Sequence, residues 1–167
     1  MITLDYIRTM ARYNVWQNRS VFEAADTLDE VARNLDRGAF FGSIRGTLSH
    51  LLWGDQTWMH RFAGSRKPVV STIAASSGMV CDWSELKLQR VAMDEAVLLW
   101  ADHLDAAWIA TDLTWFSGAA QREVTKPAGS LVVHFFNHQT HHRGQVHAML
   151  TAAGATPGDT DLFYLKM

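Results

Sequence analysis

Only three prolines interrupt this chain of 167 residues, at positions 68, 127 and 157. Proline lacks a backbone donor and its ring clashes with the preceding helical turn, so it ends or kinks a helix. Each of the three falls between stretches whose apolar residues recur with a helical period. The chain is thereby steered toward a few long helices. It is long enough to form one domain, residues 1–167, with a substantial core.

Four amphipathic segments emerge. The first runs from about Thr3 to Leu28, with Leu4, Ile7, Ala11, Val15 and Phe22 facing inward. Asn14 and Asn18 fall on or near that inner arc and read as helix-to-helix hydrogen-bonding residues. A second helix starts near Ser43 and ends around Gly64, with Ile44, Leu48, Leu51, Met59 and Phe62 as its stripe. Asp55 lies on that stripe, an unusual place for a carboxylate. His50 lies off it among Gly46, Thr47 and Gly54, so spacing alone leaves it either exposed or in a setting with room for an ion and a ligand.

The aperiodic segment Ser65 to Val80 reads as a loop crossing the bundle. A third helix spans roughly Asp82 to Thr111, with Leu86, Met93, Val97, Trp100, Leu104 and Trp108 inward and Arg90 on the same face. Asp55 and Arg90 would each be costly alone in an apolar interior, so a pairing across the bundle is expected. Ser117-Gly118 is a candidate turn for a short β-hairpin before the last helix. The apolar end of the tail is expected to pack back on the bundle. The fold expected is all-α: a four-helix bundle with one long crossover connection and that hairpin.

The last helix, Ser130 to Thr151, carries five of the eight histidines. Ser130 is its expected N-cap and Gly154 its C-terminal cap. At about 100° per residue, Leu131, Phe135, Val146 and Met149 fall within an arc of roughly 60°. His138 and His142 lie inside that arc, one turn apart. His134 and His141 flank it, and His147 lies far outside. Two inward imidazoles can bind one metal ion or form a hydrogen-bonded core pair. The pair is harder to satisfy, because each ring leaves polar nitrogens needing partners. Gln145, near the same arc, is placed to orient a ligating histidine. Arg143 lies about 100° round from His142 and is expected at the surface or a dimer interface. His60 and His103 read as surface residues.

Composition excludes several roles. Charged residues make up 19% and the formal net charge is −2, which gives no electrostatic reason to expect nucleic acid or an anionic membrane. No apolar run approaches the ~20 residues of a membrane span, and the N-terminus lacks a signal-peptide core. Cys81 is the single cysteine, so no internal disulfide forms and a cytoplasmic, reducing setting fits. It reads as a structural thiol. The seven tryptophans suit a core, or a cavity wall beside a metal.

The motif Asn137-HQTHHRG-Gln145 resembles the signature of the DinB / YfiT-like superfamily of metal-dependent four-helix-bundle proteins. Tyr13-NVWQ-Asn18 and Gly42-SIRGTLSHLLWGDQTWMHRF-Ala63 are similar to that family's other two motifs. The resemblance covers nearly the whole chain. It implies a divalent ion, Zn or Ni above others, held by His50, His138 and His142. It also implies a homodimer and a small-molecule substrate, with some relatives using a low-molecular-weight thiol such as bacillithiol, mycothiol or glutathione.

Three neutral imidazoles would leave a coordination position open, as in catalytic rather than structural sites. The open position suits water, whose pKa can fall to about 7, or a thiol, which would be deprotonated. Hydrolase and thiol S-transferase therefore start from the same site. No residue stands out as a general base, although His134 and His141 lie close enough to orient substrate. A metal-holding sensor without turnover is the alternative, and histidines with a purely structural role are a third reading.

Overall fold

The computed structural model describes residues 2–118 and 120–166. Four long helices carry it: α1 (Leu4–Asp26), α3 (Ile44–Ala63), α5 (Trp83–His103) and α7 (Ala128–Ala152). Short helices α2 (Glu30–Asn34), α4 (Ile73–Ser76) and α6 (Ala106–Ile109) sit in the connections. The ends are set locally. Thr3, Ser43 and Asp82 each accept a hydrogen bond from a backbone N–H of the first turn, and α3 stops where Gly64 takes φ 67°.

α1 and α3 each pack chiefly against α5 and α7, so they occupy opposite corners of the bundle. The connections α1–α3 and α5–α7 therefore cross a diagonal. The second of these contains the expected hairpin, β1 (Asp112–Ser117) with β2 (Arg122–Pro127), antiparallel with Trp115 opposite Val124. No described helix is long and apolar enough to cross a membrane.

Two apolar clusters lie at the two ends of the bundle. One gathers Phe22, Leu48, Leu52, Leu86, Val146 and Leu150. The other gathers Ile7, Met59, Phe62, Val97, Phe135 and Phe136. Burying each of these large side chains is worth roughly 1.5–3 kcal/mol. Between the clusters every long helix contributes buried polar groups: Asn14 and Asn18, Asp55, Arg90 and Asp94, Gln139 and Arg143.

The expected pairing is present in that layer. Arg90 Nη1 donates to Asp55 Oδ2 at 2.6 Å, with the two residues 3% and 1% exposed. Asp94 supplies a second carboxylate to Arg90 at 3.0 Å, one turn along α5. The remaining oxygen of Asp55 accepts from Gln139 Nε2 at 2.8 Å rather than from an α1 asparagine. Asn18 Nδ2 donates instead to Asp94 Oδ1 at 2.8 Å.

Several expectations are corrected. The third helix does not run to Thr111: it ends at His103, and Asp105 caps α6 by accepting from Ala107 N–H. Ser130 is not an N-cap. Strand β2 runs directly into α7, which begins at Ala128 and buries its first residues, and Ala128 N–H donates to Thr111 O at 2.8 Å. Arg143 is not a surface residue; it is buried, donates to Asn14 and Asn18, and lies over the Tyr13 ring. Cys81 is exposed. The tail does lie along α1, but through polar contacts: Gln17 Nε2 donates to Asp159 O and Tyr13 Oη to Thr160 O. Its apolar residues Leu162, Phe163 and Tyr164 stay exposed.

Candidate metal centre

The histidines of α7 meet α3 at the edge of the core. The buried residues of α7 run from Leu131 and Met149 round to Phe136 and Arg143, an arc of about 140° at ~100° per residue. Its middle faces the polar layer. His138 and His142 occupy the edge nearest α3, so His142 is buried and His138 is half-buried, open on one side. His50, opposite them on α3, is buried.

The three rings converge. Centroids stand 4.7 Å apart for His50 and His142, 4.5 Å for His138 and His142, and 5.2 Å for His50 and His138. One ring nitrogen from each lies within 4.8 Å of the other two. His50 Nε2 and His138 Nε2 are already 3.2 Å apart. Two nitrogens bound at ~2.0–2.1 Å to one tetrahedral ion would stand about 3.4 Å apart, so that pair fits without rearrangement.

The hydrogen-bond pattern fixes which nitrogen of His50 and of His142 carries the proton. Ser76 Oγ–H donates to Ile73 O at 2.5 Å, so toward His50 the same oxygen can only accept. His50 Nδ1–H donates to it at 2.8 Å, which leaves the Nε2 lone pair pointing into the cluster. His142 Nδ1–H likewise donates to Gln145 Oε1 at 2.8 Å and presents its own Nε2. Ser76 is held in place by Ser49, whose hydroxyl donates to Ser76 O at 2.8 Å.

Close packing seats the rings. A Cβ at Gly54 would come 2.9 Å from His138 Cε1, so this glycine lets the imidazole rest directly on α3. The Phe41 ring stacks on His50 at 3.7 Å, and Trp53 stacks at 5.5 Å. Burial pushes His50 and His138 down to about 3, with the neighbouring histidine charges adding to it, and lowers His142 in the same direction. All three are therefore neutral near pH 7, the form that ligates.

His134 and His141, expected as flanking residues, are both exposed. The His134 ring is 6.0 Å from His138 and packs edge-on against Trp58 at 5.2 Å. His141 Nε2 accepts from Gln145 Nε2 at 3.3 Å, at the back of the cluster. His60 and His103 give their Nδ1 protons to backbone carbonyls of Ser65 and Leu99. Of the tryptophans, Trp53 alone stacks on His50; Trp58, Trp100, Trp108 and Trp115 belong to the far apolar end. The sequence reading did not find Ser76 or Phe41. Both lie in connections without a period, and only the fold brings them to His50.

The fold and this cluster define a class: a helical bundle with a three-histidine site able to hold a metal ion. The chain belongs to the DinB family, whose model matches residues 1–167. It is similar to Protein DinB of Bacillus subtilis (strain 168), 25% identical over 167 residues that cover 98% of this chain and 95% of that one. No solved structure matches the chain.

Proposed function

We propose that His50, His138 and His142 hold one divalent ion, zinc or nickel, and that the chain is a metal-dependent enzyme transferring a low-molecular-weight thiol to a small molecule. The observation carrying this reading is the convergence of the three rings, one nitrogen of each within 4.8 Å of the others, with the Nδ1 sides of His50 and His142 taken by Ser76 and Gln145. A structural cluster satisfies His50 and His138 through their 3.2 Å Nε2–Nε2 hydrogen bond but leaves His142 Nε2 without a partner among the described residues, which a cation shared by the three rings would supply. When bound, the ion supplies Lewis acidity that favours the deprotonated form of a thiol or water at an open position.

The surroundings favour a thiol over water. Among the described residues, the charges that act on the three histidines come from one another, His134 and His141, with no carboxylate among them. Asp55, the nearest acidic candidate in sequence, is committed to Arg90 and Gln139. Without a carboxylate base, a nucleophile that is itself acidic has the advantage, and a thiol near pKa 8.5 is far more acidic than water. His138, on the open side, leaves its position accessible to a small substrate. The proposal includes a homodimer and no nucleic-acid or membrane partner.

The test is turnover by metal-loaded protein of small electrophiles with glutathione, bacillithiol or mycothiol, alongside simple esters without thiol. Thiol-dependent consumption supports the reading. Ester hydrolysis without thiol would move it to a hydrolase, and metal binding without any turnover to a sensor.

A further inference from the structure

Arg61 stands eleven residues beyond His50 on α3, about three turns and therefore on the same face of the helix. Gly54 and Thr57 lie between them on that face. α7 runs antiparallel alongside, so His142, His138 and His134 follow the same direction from the histidine cluster toward Arg61. The guanidinium lies over the ring of Trp58 at 4.4 Å and over that of Trp115, from the hairpin, at 5.1 Å. Trp58 in turn touches His134, which touches His138. The face between α3 and α7 thus has the histidines at one end and a cation clamped by two indoles at the other.

Arg61 differs from the other inward cations. Arg90 has two carboxylates and Arg143 has two asparagine oxygens. Arg61 is half-buried, and among the described residues no carboxylate lies within ion-pair distance of it and no acceptor takes its N–H groups. The rings of Trp58 and Trp115 stand at 68° to one another, so the guanidinium is held in the corner between two indoles. That contact leaves its five N–H donors without a hydrogen-bond acceptor among the described residues. Burial lowers the Arg61 pKa, and burial and then the Arg61 charge lower that of His134, so the cation is partly desolvated and lies near the side chain next to the cluster. A partly desolvated fork with unclaimed donors matches the two oxygens of a carboxylate or phosphate.

We infer that Arg61 anchors an anionic group, carboxylate or phosphate, of the ligand whose other end lies at His50, His138 and His142. Trp58 and Trp115 hold the guanidinium, Gly54 seats the His138 ring against α3, and Thr57 stands between Gly54 and Arg61 on the shared face. This deepens the reading of the histidine cluster as the reacting site and rests on it. The ligand class follows: a small molecule, thiol or acceptor, with an acidic group remote from its reacting atom.

The experiment is an NMR titration that follows the indole N–H signals of Trp58 and Trp115 and the Nε–H of Arg61. Butyrate, butyramide and inorganic phosphate are the probes, each with metal-free and metal-loaded protein. Saturable shifts with butyrate or phosphate, but not with butyramide, are expected in both forms, and the stronger of the two anions identifies the group. Arg61→Gln should abolish them and Arg61→Lys weaken them roughly tenfold or more, because the bidentate fork is lost. Equal response to acid and amide in wild-type protein would overturn the inference without any variant. So would unchanged anion binding in Arg61→Gln, or anion shifts seen only with metal present. Because the metal-free arm reads Arg61 by itself, failure to load metal would count against the histidine reading alone. In the loaded protein, a series of ω-mercaptoalkanoates should include a length that binds tighter than its ω-mercaptoalcohol; no such length would show that the two ends are not spanned.

Discussion

The polar layer and the histidine cluster lie side by side on α3 and α7, yet they handle buried polarity in opposite ways. In the layer, Asp55 and Asp94 face Arg90 and Arg143, so two negative charges meet two positive ones. Gln139, Asn14 and Asn18 link them across all four long helices. The charges of the layer are matched within it, although Asn14 Nδ2 and Gln139 Oε1 have no partner among the described residues. In the cluster, Ser76 and Gln145 take the Nδ1 protons of His50 and His142 and leave lone pairs directed at a common point. Without a cation, His50 and His138 have only each other there, at 3.2 Å between their Nε2 atoms. The first region aligns the helices and the second uses the alignment: Asp55 and Gln139 tie α3 to α7 beside His138, next to Gln139 in sequence.

The largest expected effect breaks the charge-matched region. Asp55→Ala should destabilise the fold by roughly 3–5 kcal/mol, because it breaks a buried ion pair, leaves Arg90 with Asp94 alone and takes the acceptor from Gln139 Nε2. Adding Arg90→Met should cost much less than the sum of the two single changes. Denaturant unfolding of the four proteins measures this, and strictly additive losses would mean that the two residues do not act as a pair.

The open region should respond in metal affinity instead of stability. Ser76→Ala and Gln145→Ala each release a tautomer, which should weaken metal binding about 10–100-fold while leaving the unfolding midpoint of the metal-free protein nearly unchanged. Competition with a chromophoric chelator reads the first quantity and urea unfolding the second. A large loss of fold stability with unchanged affinity would place these two residues with the structural layer.

How far the sequence carried each region follows from the geometry. The Asp55–Arg90 pair was legible because a charge on an apolar stripe has few alternatives to pairing. His138 and His142 were legible as an i, i+4 pair, and His50 through the motif Gly42 to Ala63. Arg143 was not legible. A wheel centred on Leu131 and Met149 assumes one partner helix, whereas α7 packs on both α1 and α3 and buries a wider arc centred toward Gln139. That shift puts Arg143 inside and moves the histidines to the edge, where a ligand can reach them. Ser76 was hidden because the α3–α5 connection reaches His50 only after Ser49 anchors it. The tail's polar contacts with α1 have no periodic signature either.

A smaller effect separates the regions by pH. His50 and His138 have folded values near 3, below the ordinary ~6.5, so the unfolded chain takes up protons that the folded one refuses. Stability of the metal-free protein should therefore be complete above about pH 6.5 and fall as the pH drops toward 3. His138→Ala should flatten that fall, measured as the urea midpoint against pH. An unchanged slope would mean that the buried histidines do not carry the acid sensitivity.

Metal content measured on protein purified without a histidine tag tests the central claim most directly. Wild-type protein should carry about one tightly held divalent ion per chain, as a single three-histidine site requires. His50→Ala, His138→Ala and His142→Ala should each lose it, whereas His60→Ala, His103→Ala and His147→Ala should keep it. A stoichiometric ion retained in His138→Ala or His142→Ala, or no tightly held ion in the wild type, would contradict the account.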